Sequence, residues 1–252
     1  MPSRRRSRST NSIVPHGALR LTARVVLTDI EGTTSPIAFV KDELFPYADA
    51  HLDDYVAAHR NDTAVAEAMR DAALEAGVEG VDDAAVLVHL HRWIAEDRKA
   101  TPLKTLQGLI WREGYEQTGL QGRVYPDAAE GLRRWHAAGV HLYVYSSGSI
   151  EAQRVLFAYS DQGDLTLLFR GYFDTTSGPK REAASYRSIC AAIGEAPGAI
   201  LFLSDIEAEL DAAREAGLQT VRLLRPADTP EGGATAHPAV ASFNELSVDV
   251  AG

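Results

Sequence analysis

The sequence predicts an α/β protein in which a parallel β-sheet is flanked by helices and a helical segment is inserted after the first strand. Two patterns predict this fold. A short apolar run, residues 24–29, ends in an acid and leads into a long stretch of helical pattern, residues 37–120. Later in the chain, apolar runs of strand length alternate with helical segments, which is typical of right-handed βαβ units in a parallel sheet.

The composition is that of a globular protein. The chain has 252 residues, of which 45% are hydrophobic and 24% charged, and this length suffices for a sizeable core in one or two domains. Its single cysteine excludes an intramolecular disulfide and suits a reducing compartment. No apolar run approaches the roughly 18 residues that a membrane-spanning helix needs. We therefore expect a cytoplasmic protein without a membrane partner.

The charge is unevenly distributed along the chain. The net charge is −10, but residues 1–24 contain six arginines and no acid, so that 19 basic and 35 acidic side chains remain in the rest. An acidic folded body argues against nucleic acid as a partner. Residues 1–20 are predicted to be a disordered basic tail, with an arginine-rich targeting peptide and a nucleic-acid-binding arm as the alternatives.

The first strand, residues 24–29, is followed by the helical segment 37–120. Pro46 should break or kink the first helix of this segment. An alanine-rich stretch predicts a second helix over residues 62–76. A third helix carries one apolar face, formed by Val86, Leu87, Leu90 and Ile94. The last helix starts with Thr101-Pro102, which suit the N-cap and N1 positions.

The rest of the chain alternates between strands and helices. Strands are predicted at residues 140–146, 171–174, 199–204 and 218–224. Helices are predicted at residues 127–138, 149–159, 182–194 and 207–216. Together with the first strand, these elements form a Rossmann-like core with a helical cap inserted into it. Ligands of such sheets bind beyond the carboxyl ends of the strands, where we expect the functional residues.

Polar side chains occur at several of these strand ends. They are Asp29 and Glu31 after the first strand, Ser146 and Ser147 after the second, Lys180 in the loop 178–180, and Asp205 and Glu209 after the fourth. Taken singly, each of these residues could have a purely structural role, because aspartate and serine often cap helices and a single lysine is usually a solvated surface charge. Their convergence on one sheet edge is a more specific signal.

The chemistry of this set points to phosphate and Mg²⁺. Carboxylates that meet in a cleft repel each other unless a cation lies between them, and hard oxygen ligands favour Mg²⁺. Serine hydroxyls and backbone N–H groups at a helix start suit a phosphate, and a lysine offsets its charge. The chain has no GxxxxGK[ST] sequence, which excludes a P-loop. Among these residues, Asp29 is the best candidate for a nucleophile, which would form an aspartyl-phosphate intermediate.

In these residues the sequence resembles the haloacid dehalogenase-like superfamily, whose motifs run in the order Asp, Ser/Thr, Lys and an acidic pair. Glu31 stands where the superfamily usually has a second aspartate, and this difference points to one family within the superfamily. The segments DIEGTTSPIAFVKDELFPYA, LKTLQGLIWREGY, YSSGSIEAQRVLF and GPK are similar to the enolase-phosphatases of methionine salvage. The resemblance covers about residues 24–224 and implies a haloacid dehalogenase-like core over 21–36 and 121–252, with a helical cap over 37–120.

The resemblance implies the reaction. The substrate is 2,3-diketo-5-methylthiopentyl-1-phosphate, which is first enolised and then dephosphorylated to the acireductone 1,2-dihydroxy-3-keto-5-methylthiopentene. One Mg²⁺ per chain is implied, together with a monomer whose partner is a small phosphorylated molecule. Two alternatives stay open. They are another Mg²⁺-dependent small-molecule phosphatase of the same superfamily and a catalytically silent sensor of a phosphorylated metabolite.

The resemblance also implies roles for the two acids of the first motif. Asp29 is expected to bind Mg²⁺ through one oxygen and to attack phosphorus with the other. Glu31 is expected to bind the metal through its backbone carbonyl and to transfer protons with its side chain, in both half-reactions. Two alternatives are that Glu31 is a plain replacement of aspartate and that Asp29 does not become phosphorylated.

The later motifs are assigned in the same way. Ser146 and Ser147 match the substrate-binding pair, and Lys180 matches the phosphate-binding lysine. Asp205 matches the acid that binds the metal directly. Glu209 is expected to orient a metal-bound water or Lys180.

Overall fold

The computed structural model describes residues 19–78, 82–228 and 235–250. In these residues the central sheet has six strands, all parallel, in the spatial order β4-β3-β2-β5-β6-β7. They are β2 (Val25–Thr28), β3 (His141–Tyr145), β4 (Phe169–Phe173), β5 (Ile200–Ser204), β6 (Gln219–Leu223) and β7 (Ala239–Val240). The predicted α/β fold with a parallel sheet is therefore confirmed.

Strand β2 lies inside the sheet and is buried on both faces. Val25 and Leu27 pack in one apolar cluster with Ile189 and other residues, whereas Val26 packs in a second cluster with Leu132. Successive strand residues point to opposite faces, so a run of buried residues belongs to a strand covered by helices on both sides. The end of β2 thus delivers Asp29 from a rigid part of the molecule.

Eight α-helices occur in the described residues. The insertion helices, between β2 and β3, are α1 (Phe45–Ala58), α2 (Thr63–Ala76), α3 (Asp83–Ala95) and α4 (Thr101–Glu113). The core helices are α5 (Pro126–Ala137), α6 (Ile150–Ala158), α7 (Ala183–Ile193) and α8 (Glu207–Glu215). The insertion helices share an apolar cluster of their own, which includes Leu52, Met69, Leu90 and Leu106.

Pro46 lies in the first turn of α1, directly after a π-helical turn formed by Phe39–Leu44. The predicted interruption therefore falls between the two elements. Helix α4 begins one residue differently from the prediction, because Ala100 occupies the N-cap position and Thr101 is already helical. This helix continues into a second π-helical turn, Gly114–Thr118.

The predicted disordered tail, residues 1–20, extends two residues too far, because a strand begins at Leu19. Residues 1–18 lie outside the described part of the chain, but Leu19 and Arg20 belong to a strand, β1 (Leu19–Thr22). It pairs in parallel with β8 (Leu246–Asp249). The insertion therefore follows the second strand of the chain. The partner of β1 lies at the other end of the sequence, and no local pattern announces such a pairing.

No helix in the described parts of the chain is long and apolar enough to cross a membrane.

Candidate active site

Three predicted residues meet in direct contact at the carboxyl edge of the sheet. Lys180 Nζ lies 2.7 Å from Asp29 Oδ1 and 2.7 Å from Glu209 Oε2. All three side chains are at least 90% buried. Ser204, the last residue of β5, donates its hydroxyl to the same Glu209 oxygen at 3.0 Å. Glu209 thus contacts Lys180, one of the two groups that it is predicted to orient.

The loop that carries Lys180 is held by side chains of the core. Tyr186 donates its hydroxyl to the Lys180 carbonyl at 2.7 Å, and Tyr145 donates to the Gly178 carbonyl at 2.9 Å. Gly178 has φ +120° and contacts Ser185, so a side chain at this position would be strained and would clash. The ammonium group of Lys180 is therefore delivered by a rigid loop.

Asp205 follows β5 and faces the loop after β2. A Cβ atom added to Gly32, which has φ +68°, would lie 2.5 Å from Asp205 Oδ2. Glycine is required there because the two strand-end loops approach so closely. Within the described residues, Asp205 Oδ1 is buried and has no hydrogen-bond partner. Asp205 is thus close to the first motif without being bonded to it.

The carboxylates of this site repel one another. Burial, Asp29 and Glu209 raise the pKa of Asp205 to about 7, and burial with Asp29 also raises the pKa of Glu209. Burial alone would lower the pKa of Lys180, but Asp29 and Glu209 raise it overall. One ammonium group therefore does not balance the clustered carboxylates, and a bound cation would stabilise their charged forms.

The available donors suit a divalent cation with oxygen ligands. They are the carboxylates of Asp29 and Asp205 and the backbone carbonyl of Glu31, and the unpartnered Asp205 oxygen fits such a role. The described residues contain no group of three or more His, Cys, Asp or Glu side chains arranged for a metal. A site built from two carboxylates and a main-chain oxygen would not form such a group, and Mg²⁺ usually completes its shell with water and phosphate.

The serine pair lies at the end of the neighbouring strand β3. Ser146 is buried, and its hydroxyl accepts from the Gly148 N–H at 3.2 Å. Gln153 supports the loop, because its amide donates to the carbonyls of Gly148 and Phe173 at 2.8 and 2.9 Å. Ser147 presents its carbonyl to Lys104 of the insertion helix α4, at 3.0 Å. The serines thus lie where the core meets the insertion helices.

A cleft with a cavity volume of about 80 Å³ lies between the core and the insertion helices. Glu31, Ser146 and Ser147 line its core side. Its other side is mostly apolar and includes Val40, Leu44, Phe45, Trp93, Leu103, Trp111 and Tyr115. Burial and the nearby Asp29 raise the pKa of Glu31. The predicted residues therefore form two groups, a buried charge cluster and the wall of an apolar cleft.

Sequence reasoning missed residues that support or line the site. Arg225 is buried and donates from Nε and Nη2 to the Thr33 carbonyl, at 3.1 and 2.7 Å. Lys104 and Gln107 of α4 line the cleft. Arg225 is 192 residues from Thr33, and no spacing rule links them. For Lys104, the only signal was its place in the segment LKTLQGLIWREGY.

The comparisons with known proteins agree with this geometry. A sequence profile of haloacid dehalogenase-like hydrolases matches residues 23–217. The chain therefore belongs to the haloacid dehalogenase-like hydrolases.

Individual relatives of known name place the chain more narrowly within this hydrolase family. Enolase-phosphatase E1 of Pseudomonas aeruginosa (strain LESB58) is 53% identical over 91% of this chain and 100% of its own length. Enolase-phosphatase E1 of Granulibacter bethesdensis is 56% identical over 87% of this chain and 93% of its own. The crystal structure of the UTR4 protein of Saccharomyces cerevisiae has a TM-score of 0.74 and 34% identity, covering 88% of this chain and 99% of that one. Within the hydrolase family, the chain belongs to the enolase-phosphatases.

Proposed function

We propose that the protein converts 2,3-diketo-5-methylthiopentyl-1-phosphate to the acireductone 1,2-dihydroxy-3-keto-5-methylthiopentene and phosphate, as a step of methionine salvage. The observation that carries the proposal is the placement of Lys180 between Asp29 and Glu209, with Asp205 beside them. Asp29 is next in sequence to Ile30 and Glu31, which line a cleft with an apolar wall. Lys180, together with a cation bound by the surplus carboxylates, suits a phosphate, and the apolar wall suits a methylthioalkyl chain.

In phosphoryl transfer, Asp29 is the nucleophile. Its buried carboxylate is oriented by Lys180, which leaves its second oxygen to attack phosphorus and form an aspartyl-phosphate. Lys180 and the hydroxyl of Ser146 offset the charge on the phosphoryl oxygens, with Ser147 as the second substrate-binding residue. Glu209 keeps Lys180 charged and in place.

Asp29, Asp205 and the Glu31 carbonyl would hold one Mg²⁺. When bound, this ion supplies positive charge next to the phosphoryl group and relieves the repulsion that raises the pKa of Asp205. The residues of the chain perform the proton transfers.

Glu31 is the base of the enolisation. Its carboxyl group lines the cleft, and burial with the nearby Asp29 raises its pKa, which makes its carboxylate a better proton acceptor. Glu31 takes a proton from C1 of the substrate and later gives it to the C1 oxygen when the P–O bond breaks. One side chain thereby serves both half-reactions.

The apolar wall would hold the methylthio end. Phe45 and Trp111 stack with their rings 6.4 Å apart, and Trp111 Nε1 donates to the Leu44 carbonyl at 2.8 Å. This pair is fixed before the substrate binds, which lowers the cost of ordering the site. Closure of the insertion helices over the substrate excludes water from the aspartyl-phosphate until the acireductone leaves. Water then hydrolyses the aspartyl-phosphate, which releases phosphate and regenerates the Asp29 carboxylate.

The proposal includes a cytoplasmic monomer that acts on a small molecule, without a nucleic-acid or membrane partner. The net charge of −10 supports the exclusion of nucleic acid. Sedimentation velocity of the purified protein at several concentrations tests the monomer, and a concentration-dependent dimer would contradict it.

The test of the reaction follows the purified protein with the diketone phosphate, with and without Mg²⁺. Ultraviolet absorbance reports the enol, and released phosphate is measured in the same sample. We expect a transient enol, then acireductone and phosphate, and no phosphate without Mg²⁺. Release of phosphate from simple esters but not from the diketone would retain the hydrolase class and contradict the substrate. Binding without turnover of either substrate would favour the sensor.

A further inference from the structure

Three lysines in or near the cleft differ in what neutralises their charge. Lys180 lies between two carboxylates, and Lys99 Nζ lies 2.5 Å from Asp97. Lys104 instead donates to the carbonyl of Ser147 at 3.0 Å, and in the described ranges no carboxylate forms an ion pair with it. Lys104 therefore brings a positive charge into the cleft that its protein contacts leave uncompensated.

Helix α4 fixes the position of Lys104. Lys104, Gly108 and Arg112 are spaced four residues apart and so share one face of the helix. A Cβ atom on Gly108 would lie 3.6 Å from Ser149 Oγ, and Arg112 forms an ion pair with Glu151 of α6. This face packs on the start of α6, which places Lys104 beside the serine loop.

The surroundings of Lys104 leave its N–H groups available to a substrate oxygen. Burial and the nearby Lys99 lower its pKa, which Asp174 opposes. The Asp174 carboxylate is occupied by the N–H groups of Ile150 and Thr176, at 3.3 and 2.9 Å. A substrate oxygen can therefore compete for Lys104 against neutral protein oxygens only.

We propose that Lys104 is a further catalytic residue, which donates a hydrogen bond to the C2 carbonyl oxygen of the substrate and stabilises the enolate formed there. The inference rests on the proposed function. With the phosphate held by Ser146 and Lys180, C1 and C2 are the next two carbons of the substrate. The Lys104 ammonium group is anchored on the carbonyl of Ser147, the residue after Ser146, and so lies beside the proposed phosphate site.

Enolisation shifts two electron pairs among C1, C2 and the C2 oxygen. The C1–H bond breaks and its proton passes to the Glu31 carboxylate, while the electron pair forms the C1–C2 double bond. The π pair of the C2 carbonyl moves onto oxygen, where the Lys104 ammonium binds the negative charge and then supplies a proton to give the enol. Lys104 regains its proton from water. A donor to a developing oxyanion contributes on the order of 10²–10³ in rate.

The test compares Lys104→Met and Lys104→Arg with the wild-type enzyme. Exchange of the C1 hydrogens in D₂O, followed by NMR, reports enolisation. Hydrolysis of p-nitrophenyl phosphate reports phosphoryl transfer alone. We expect Lys104→Met to lose about a hundredfold or more in enolisation and to retain ester hydrolysis within about threefold. Lys104→Arg, which keeps an N–H donor, should recover at least tenfold of the loss.

The matched control is Arg112→Gln, which removes the other cation on the same face of α4 and leaves enolisation within about threefold. An equal loss in this control would assign the Lys104 effect to helix docking and overturn the inference. Unimpaired enolisation in Lys104→Met would also overturn the inference. So would a loss of ester hydrolysis in Lys104→Met as large as its loss of enolisation, because Lys104 would then be a phosphate ligand. A wild-type enzyme active on the ester but not on the diketone would overturn the proposed function, and this inference with it.

Discussion

At the scale of the residue, the proposed chemistry depends most on Asp29. Its carboxylate is buried against Lys180, so asparagine fits the same space but cannot attack phosphorus. We expect Asp29→Asn to lower phosphate release by about a thousandfold or more, without a change in the far-ultraviolet circular dichroism spectrum. Phosphate assays under saturating substrate and Mg²⁺ measure the effect.

Asp174 provides the control for this variant. It is also a buried aspartate at a strand end, but its carboxylate accepts from the N–H groups of Ile150 and Thr176. Asp174→Asn keeps one acceptor oxygen and loses the other, so it measures the cost of replacing a buried, hydrogen-bonded aspartate, and its loss of activity should be far smaller than that of Asp29→Asn. Turnover by Asp29→Asn at a rate near that of the wild type would refute the assigned role of Asp29.

Glu31 should be needed for both half-reactions. Glutamine at this position keeps the backbone carbonyl and removes the titratable group, so the metal donor is unchanged while proton transfer is lost. We expect Glu31→Gln to slow C1 hydrogen exchange and phosphate release by about 10²–10⁴ each. Parallel NMR and phosphate measurements separate the two steps. If hydrogen exchange proceeds at the wild-type rate, Glu31 is not the base of the enolisation.

At the scale of the element, Arg225 joins three parts of the chain behind the active site. Besides the Thr33 carbonyl, it binds Asp127 at the start of α5, with Nη1 2.6 Å from Oδ2. Asp127 also accepts from the N–H of Phe243 at 2.7 Å. Removing one partner of a buried ion pair costs about 3 kcal/mol, so Asp127→Asn should lower the free energy of unfolding by about that amount.

The same ion pair predicts a pH dependence. Burial by itself raises the pKa of Asp127, but Arg225 and the Phe243 N–H lower it overall. Its contribution to stability is thus present above the unfolded pKa, about 3.9, and is lost as the pH falls through the folded pKa. Urea denaturation should show the full difference between the wild type and Asp127→Asn near neutral pH and a vanishing one in strong acid. A difference that stays constant would contradict the assignment.

The insertion helices contain an ion-pair cluster with the opposite pH dependence. His91 of α3 bonds Asp49 and Asp53 of α1, at 2.6 and 2.9 Å. Burial lowers the pKa of His91, but these two hydrogen bonds raise it overall. Protonation therefore stabilises the folded state, by about 1 kcal/mol or less at so exposed a site. This contribution is full below the unfolded pKa, about 6.5, and is lost as the pH rises through the folded pKa.

The measurement is the difference in Tm between the wild type and His91→Gln, at about pH 5.5 and about pH 8.5. We expect the larger difference at the lower pH. The matched control is His51→Gln, because His51 on α1 bonds a backbone carbonyl rather than a carboxylate. A difference in Tm between the wild type and His91→Gln that grows as the pH rises would contradict a raised pKa of His91 in the folded state.

At the scale of the whole molecule, local patterns predicted the elements, and contacts between distant segments escaped prediction. Alternating strands and helices leave a strong periodic signal, so the central sheet and Asp29 at the end of β2 were predictable. The pairing of β1 with β8 and the bond from Arg225 to Thr33 join segments far apart in sequence. Lys104 was missed because its role depends on how α4 packs against the serine loop.

The position of α4 on α6 also predicts that the cleft must open during turnover. Leu103, Lys104 and Trp111 of α4 line the cleft, and Ser149 at the start of α6 lines its other side. Gly108 faces Ser149 closely, with 3.6 Å from an added Cβ atom to the serine oxygen. Cysteines at both positions are therefore within reach of a disulfide of ordinary geometry. The native Cys190 is buried, and burial raises its pKa, so it should not compete.

We expect the oxidised Gly108→Cys/Ser149→Cys variant to lose at least about tenfold in kcat, because the disulfide holds the insertion helices against the core and slows substrate entry and product release. A reductant should restore the rate. The two single-cysteine variants, treated with the same oxidant, provide the control and should keep their activity. Ser149 also caps α6 by accepting from the Ala152 N–H at 3.2 Å, so Ser149→Cys alone measures the cost of that substitution. Full activity of the oxidised double variant, with disulfide formation verified by mass spectrometry, would show that turnover needs no movement of α4 away from α6.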